Sequence, residues 1–149
     1  MGGFDAKQDL RSPRAVLGGY IILPRLIDKV RAHARGVLPP EYVANLFKPG
    51  TTLDGRFMTF TGLAPEPLRA AILEAKDDAA VLAWVERHAK PDTAEDRRRW
   101  AAEVDAYRPD PDRIAVRKQY YPALAGKVDL GAVSVLDMID MDEGRRPLS

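Results

Sequence analysis

The stretch "LGGYIILPRLIDKVRAHARG", residues 17–36, decides the fold. Leu23, Leu26, Ile27, Val30 and Ala34 recur at the 3.6-residue period of a helix and give it one apolar, core-facing stripe. Gly36 supplies a stop. Upstream, Ser12-Pro13 suits an N-cap and a first helical position, and the short turn it opens ends at Gly18-Gly19. Pro24 admits two readings. Either it sits in the first turn, with Tyr20–Leu23 extended before it, or it kinks a longer helix.

The same signals continue outward. "LPPEY" and "FKPGTT" mark residues 37–52 as irregular. Leu53, Phe57 and Phe60 form a short helical face closed by Gly62, and Pro65 opens a helix bearing Leu68, Ala71, Ile72 and Ala75. Asp77 or Asp78 caps the next, with Val81, Leu82, Val85 and Ala89 inward and Trp84 at the edge. Thr93 and Asp96 have the spacing of a capping box before Trp100, Ala101, Val104 and Tyr107. Asp110-Pro111 and Ser134 with Asp137 open two more helices. No stretch alternates cleanly between hairpin signals, and "YVANLF", 42–47, is the one strand-like piece. The expectation is an all-α, single compact domain of about six or seven short helices with Pro/Gly-rich connections. It occupies residues 13–146 and follows a flexible N-terminus at 1–12.

Composition narrows the function. A chain of 149 residues buries roughly 70% of its unfolded surface, and 46% apolar with 30% charged residues is globular usage. Without cysteine there is no disulfide, thiol chemistry or Cys-based zinc site, which fits a reducing, cytoplasmic compartment. With a net charge of +1 and mixed signs, no basic stripe invites nucleic acid. The longest apolar run, "YIIL" at 20–23, is too short to span a membrane. The N-terminus lacks the features of a signal peptide, and Ala6 stands where a myristoylation signal after Gly2 needs Ser or Thr.

Metal and cofactor signatures are equally absent. "LDMIDMDEG", 136–144, is acidic but puts glycine at position five of a loop counted from Asp140, where a calcium loop needs it at six. It reads as a solvated acidic helix end. His33 and His88 have no ligand partner at helical spacing, and no nucleophile elbow or phosphate loop occurs. No metal and no cofactor are expected.

One charged block remains. Arg25, Asp28, Lys29 and Arg31 lie within two turns, one carboxylate ringed by three cations. Left in solvent they form a lattice of surface pairs, each worth about 0.2–0.5 kcal/mol. Covered by another segment, they become a site: Asp28 held ionised, and a surplus of positive charge for a small anion or carboxylate. The loops around Tyr42 and Asn45, and Asp54-Gly55-Arg56, are the candidate covers, with Tyr20, Phe57 and Trp84 as walls.

"SPRAVLGGYIILPRLIDKVRA" (12–32), "LDGRFMTFTGL" (53–63), "VLAWV" (81–85) and "LDMIDMDEG" together resemble the bacterial family called domain of unknown function 5069. The Leu23–Ala32 block, Leu-x-Arg-x-Ile-Asp-Lys-x-Arg-Ala, carries most of the resemblance. It implies a small, soluble, single-domain protein, supplies no reaction, and draws Arg25, Asp28, Lys29 and Arg31 together as a unit. The chain departs from the pattern at Pro24 and in a longer "PPEYVANLFKPGTT" link.

The expected function is therefore small-molecule binding, or acid/base catalysis, on the Arg25–Arg31 face under the 42–56 loop. Asp28 and Lys29 take the acid/base roles. Arg25, Arg31, Tyr20, Tyr42, Asp54 and Trp84 contact the ligand. The alternative is a non-catalytic interaction module, with a homodimer formed through Ile114, Tyr120, Tyr121 and Leu124.

Overall fold

Between Leu17 and Tyr20 the chain reverses on Gly18 and Gly19, with φ of +59° and +87°. Positive φ at both central residues is the signature of a type I′ turn, whose twist matches paired strands and which glycine adopts without strain. The turn joins β1 (Val16–Leu17) to β2 (Tyr20–Ile21), antiparallel, with Val16 opposite Ile21 and Leu17 opposite Tyr20. This hairpin corrects the sequence expectation of a helical turn from Pro13 to Leu17. Two-residue strands are too short to show alternation, and only the paired glycines announced them.

A computed structural model describes residues 3–148. Its helices are α1 (Ala6–Asp9), α2 (Leu23–Ala34), α3 (Pro40–Val43), α4 (Leu53–Thr61), α5 (Pro65–Glu74), α6 (Asp78–His88), α7 (Ala94–Ala106), α8 (Pro111–Tyr120), α9 (Pro122–Ala125) and α10 (Val135–Asp142). The fold is mostly helical, as expected, with ten helices among the described residues. Three of them, α1, α3 and α9, are single turns of four residues that leave no periodic trace. "YVANLF" is no strand: it finishes α3 and runs on as turns, because Pro39-Pro40 starts a helix ahead of it.

The chain divides into two compact units, residues 1–98 and 99–149, with the division inside α7. In the first, α2 is the central helix, packed on β1 and α5, while α5 packs on α6. Pro24 takes the first-turn position, and the residue before the helix, Ile22, has φ +74°. A β-branched residue there is strained and persists only where its surroundings insist. Ile22 is fully buried, and its N–H donates to the Pro13 carbonyl (3.1 Å). The helix is buried nearly all round from Leu23 to Ile27 and emerges at its end. Ala34, expected in the core, is consequently exposed, and Ala32 is buried instead.

In the second unit, Leu124, Leu130, Met138 and Met141 form a core with Tyr121 packed against it. Leu124 is thus removed from the apolar surface expected of Ile114, Tyr120, Tyr121 and Leu124. The buried Arg117 guanidinium donates to the carbonyls of Leu130 (2.7 Å) and Val133 (2.9 Å). The acidic end of α10 is solvated only in part: Asp142 is exposed, whereas Asp140 is buried and accepts from Arg145 (3.1 Å), which also meets Glu143 at 2.5 Å.

Candidate functional site

The charged face of α2 is covered. Arg25 and Lys29 are only 3% and 5% exposed. The reason is geometric: successive helical residues are turned about 100° apart, so neighbours in sequence meet different elements. Lys29 faces α4, where its ammonium lies 2.7 Å from Asp54 Oδ1. The other carboxylate oxygen, Oδ2, accepts the Phe47 N–H at 2.9 Å. Phe47 holds φ +57°, and its ring lies 5.8 Å from the Arg69 guanidinium carbon. Thr52 caps α4 by accepting from the Gly55 N–H (3.0 Å), and its hydroxyl donates to the Lys48 carbonyl. The Arg25 guanidinium sits 5.9 Å from the centre of the Tyr42 ring and donates to the Arg11 carbonyl (3.2 Å).

Asp28 is not ringed by Arg25, Lys29 and Arg31. Its hydrogen bonds come from Arg11: backbone N–H at 2.9 Å and Nε at 3.0 Å to Oδ2, Nη2 at 3.1 Å to Oδ1. The same guanidinium reaches Asp78 on α6, with Nη1 2.5 Å from Oδ2 and Nη2 3.3 Å from Oδ1. Asp77 makes this bridge available by taking the capping role, accepting from the Ala80 N–H (2.9 Å) and leaving Asp78 to face Arg11. Arg31, half-buried, spends one long hydrogen bond on the Ala75 carbonyl (3.4 Å).

Of the sequence-predicted residues, the structure thus gathers Arg25, Asp28, Lys29, Arg31, Tyr42 and Asp54 on or against α2. Tyr20 and Trp84 stand elsewhere. Trp84 stacks on His88 with ring centres 4.2 Å apart. His33 meets Arg69, Nδ1 to Nη2 at 3.0 Å. Tyr20 packs edge-on against Phe57 and Phe60 beneath the Arg97 guanidinium, 4.1 Å from its ring centre. Arg97 in turn grips Asp92 with two hydrogen bonds (2.9 and 3.0 Å), Glu86 (3.1 Å) and the Gly18 carbonyl (2.6 Å). The bonds to Asp92, foremost, and to Glu86 raise the Arg97 pKa further, against desolvation. The Tyr20 hydroxyl is buried without a hydrogen-bond partner among the described residues. Burial first, and then Asp92 nearby but out of bonding geometry, push its pKa up against the Arg97 charge. Replacing Tyr20 by Phe removes an orphaned hydroxyl, and a gain of about 1 kcal/mol is expected. The denaturant midpoint measures it, and a fall in midpoint would mean that the hydroxyl is bonded in solution.

Arg11 and Asp78 are the residues that sequence reasoning missed. Arg11 is 17 residues from Asp28 and 67 from Asp78, and no local spacing marks such a bridge. Hydrogen bonds to Asp78 and Asp28 raise the Arg11 pKa. Reciprocally, Arg11's hydrogen bond holds the Asp78 carboxyl below its ordinary range, against desolvation, with smaller help from the charges of Arg11 and Arg31. A carboxylate with a depressed folded pKa stabilises the fold fully above its unfolded value, about pH 4, and loses that contribution as pH falls through the folded value. Arg11→Met is therefore expected to raise the acid-unfolding midpoint, followed by circular dichroism. An unchanged midpoint would leave the bridge energetically silent.

Chemically, the face holds four cations, Arg11, Arg25, Lys29 and Arg31, against three carboxylates, Asp28, Asp54 and Asp78. The Arg31 guanidinium carries five N–H groups, one of which donates to the Ala75 carbonyl. Among the described residues no three His, Cys, Asp or Glu side chains gather as for a metal ion, and no helix is long and apolar enough to cross a membrane.

No curated protein matches the chain. The model of one family, described as a domain of unknown function (DUF5069), matches residues 7–145. That span takes in every residue of the α2 face, and by it the chain belongs to the DUF5069 family.

Proposed function

We propose that the protein binds a small anionic ligand, carboxylate- or phosphate-bearing, on the α2 face beside Arg31. The observation that carries this reading is the half-buried Arg31 guanidinium, with one 3.4 Å hydrogen bond to the Ala75 carbonyl. A planar guanidinium with spare donors suits an oxyanion, which it can meet with two parallel bonds. Binding is favoured over acid/base catalysis because Asp28 already accepts three hydrogen bonds from Arg11. The setting we propose is cytoplasmic, in line with a cysteine-free chain. Thermal shift against inorganic phosphate and short dicarboxylates tests the reading. Wild type should be stabilised, and Arg31→Met, which keeps the stem but not the donors, should fold and lose the response. Equal responses in both proteins, or none in wild type, would sink it.

A second reading, self-association, draws on Val116 and Tyr120, which are 38% and 63% exposed and four residues apart on α8. Residues at that spacing share one helix face. A sedimentation coefficient constant across concentration would exclude it.

A further inference from the structure

We infer that Arg69 and His33 form a second oxyanion site, which takes up one proton with each anion it binds. The site uses other residues than the Arg31 reading and stands or falls separately. Arg31 and His33 are two residues apart on α2, hence about 200° apart around it, and they meet α5 at different points, Ala75 and Arg69.

Three observations carry it. First, the bond between the two residues has one possible direction. Arg69 Nη2 lies 3.0 Å from His33 Nδ1. A guanidinium has donors only, so Nδ1 accepts, and the imidazole is neutral with its proton on Nε2. Second, no carboxylate answers the charge. Both side chains are half-buried. Among the described residues, Arg69 has one other electrostatic partner, the Phe47 ring at 5.8 Å, and His33 has none. Third, the nearby acids are engaged elsewhere or do not reach the pair. On α2 the charged neighbours of His33 are Lys29, Arg31 and Arg35, and Lys29 holds Asp54 of α4, which also carries Arg56. Of the charged residues on α5, Glu66, Arg69 and Glu74, Arg69 alone bonds the ring; the Phe47 segment adds Lys48, and β1 adds no charge.

The pair is therefore short of one proton and one anion, and each needs the other. A proton alone would set two cations 3.0 Å apart. An anion alone would face the Nδ1 lone pair. When both arrive, solvent supplies the proton to Nδ1, Arg69 leaves that nitrogen, and the oxyanion accepts from the guanidinium fork and from Nδ1–H. His33 lies in the last turn of α2, where the helix dipole favours an imidazolium. A tetrahedral oxyanion, a sulfate or phosphate group, fits best: the fork takes two oxygens and the imidazolium a third.

Imidazole NMR of the full-length chain tests this directly, because His33 and His88 are its two histidines. The probe is sodium sulfate at constant ionic strength, an anion that does not itself titrate near neutrality. The His33 Hε1 signal should move saturably while that of His88 stays. The apparent affinity should be about tenfold tighter at pH 6 than at pH 8, because anion and proton bind together. Arg69→Met, shown to be folded by circular dichroism, should abolish the His33 response, and Arg31→Met should keep it. A His33 signal indifferent to sulfate, or equally responsive in Arg69→Met, overturns the site. Equal affinity at the two pH values overturns the proton uptake. If Arg69→Met does not fold, His33→Gln decides: its sulfate affinity, followed by calorimetry, should lose the pH dependence, and a dependence unchanged from wild type overturns the proposal. At pH 8 an imidazole is ordinarily neutral and this site is weak, so the phosphate response of the Arg31 face is read there on its own.

Discussion

Asp54→Ala is expected to destabilise the fold by about 3–5 kcal/mol, because it breaks a buried ion pair. The Asp54 side chain is fully enclosed and that of Lys29 nearly so. Attraction between them offsets the desolvation of both ions, and removing Asp54 takes that attraction away while the Lys29 ammonium stays buried. The Phe47 N–H loses its acceptor in the same stroke. Urea denaturation of wild type and variant gives the difference. The paired replacement Lys29→Met with Asp54→Leu separates the worth of the pair from the damage of breaking it. Apolar residues of similar volume often replace a buried ion pair at little loss, so the double variant should recover most of the stability. A loss below about 1 kcal/mol in Asp54→Ala would indicate water reaching the pair, as at surface ion pairs.

Phe57→Ala should weaken the protein by a similar amount, about 3–5 kcal/mol, for an unrelated reason. Phe57 is fully buried on α4 and meets Tyr20 at 5.7 Å between ring centres, 73° apart in plane. Truncation removes its transfer free energy and leaves a cavity whose walls cannot close. The wall here is stiff. Tyr20 is fixed by the type I′ turn before it, the strained Ile22 after it and Arg97 on its face, so it cannot swing into the space. Phe57→Leu should lose clearly less, and combining Phe57→Ala with Tyr20→Ala should lose less than the two single losses together. Strict additivity of the two substitutions would mean that the edge-on contact contributes nothing.

How much of this was legible follows from the range of each interaction. The α2 stripe of Leu23, Leu26, Ile27 and Val30 is local, and the helix formed where it pointed, with Pro24 in its first turn. The 42–56 region was nameable as a cover because it follows α2 and carries Asp54, and Asp54 does pair with Lys29 on that helix. Partner choice was not legible. Asp28 has three cations within three residues along its helix and bonds to none of them, taking Arg11 instead. Rotation about the helix axis and the approach of a distant segment decide such pairings, and spacing along the chain encodes neither. The acidic end misled for the same reason: Asp140 looked solvated until Arg145 folded back on it.

The Gly18-Gly19 turn also orders events in time. It closes a two-residue loop, and hairpins of this size form within about 1–10 μs. The Arg97 bond to the Gly18 carbonyl spans 79 residues and must wait for most of its unit to collapse. The turn therefore presents a ready-made seat, and Arg97 is the bolt that slides home last. Weakening a late contact leaves the climb to the folding barrier intact and speeds the descent back, so Arg97 sets how long the native hairpin survives rather than how quickly it is found.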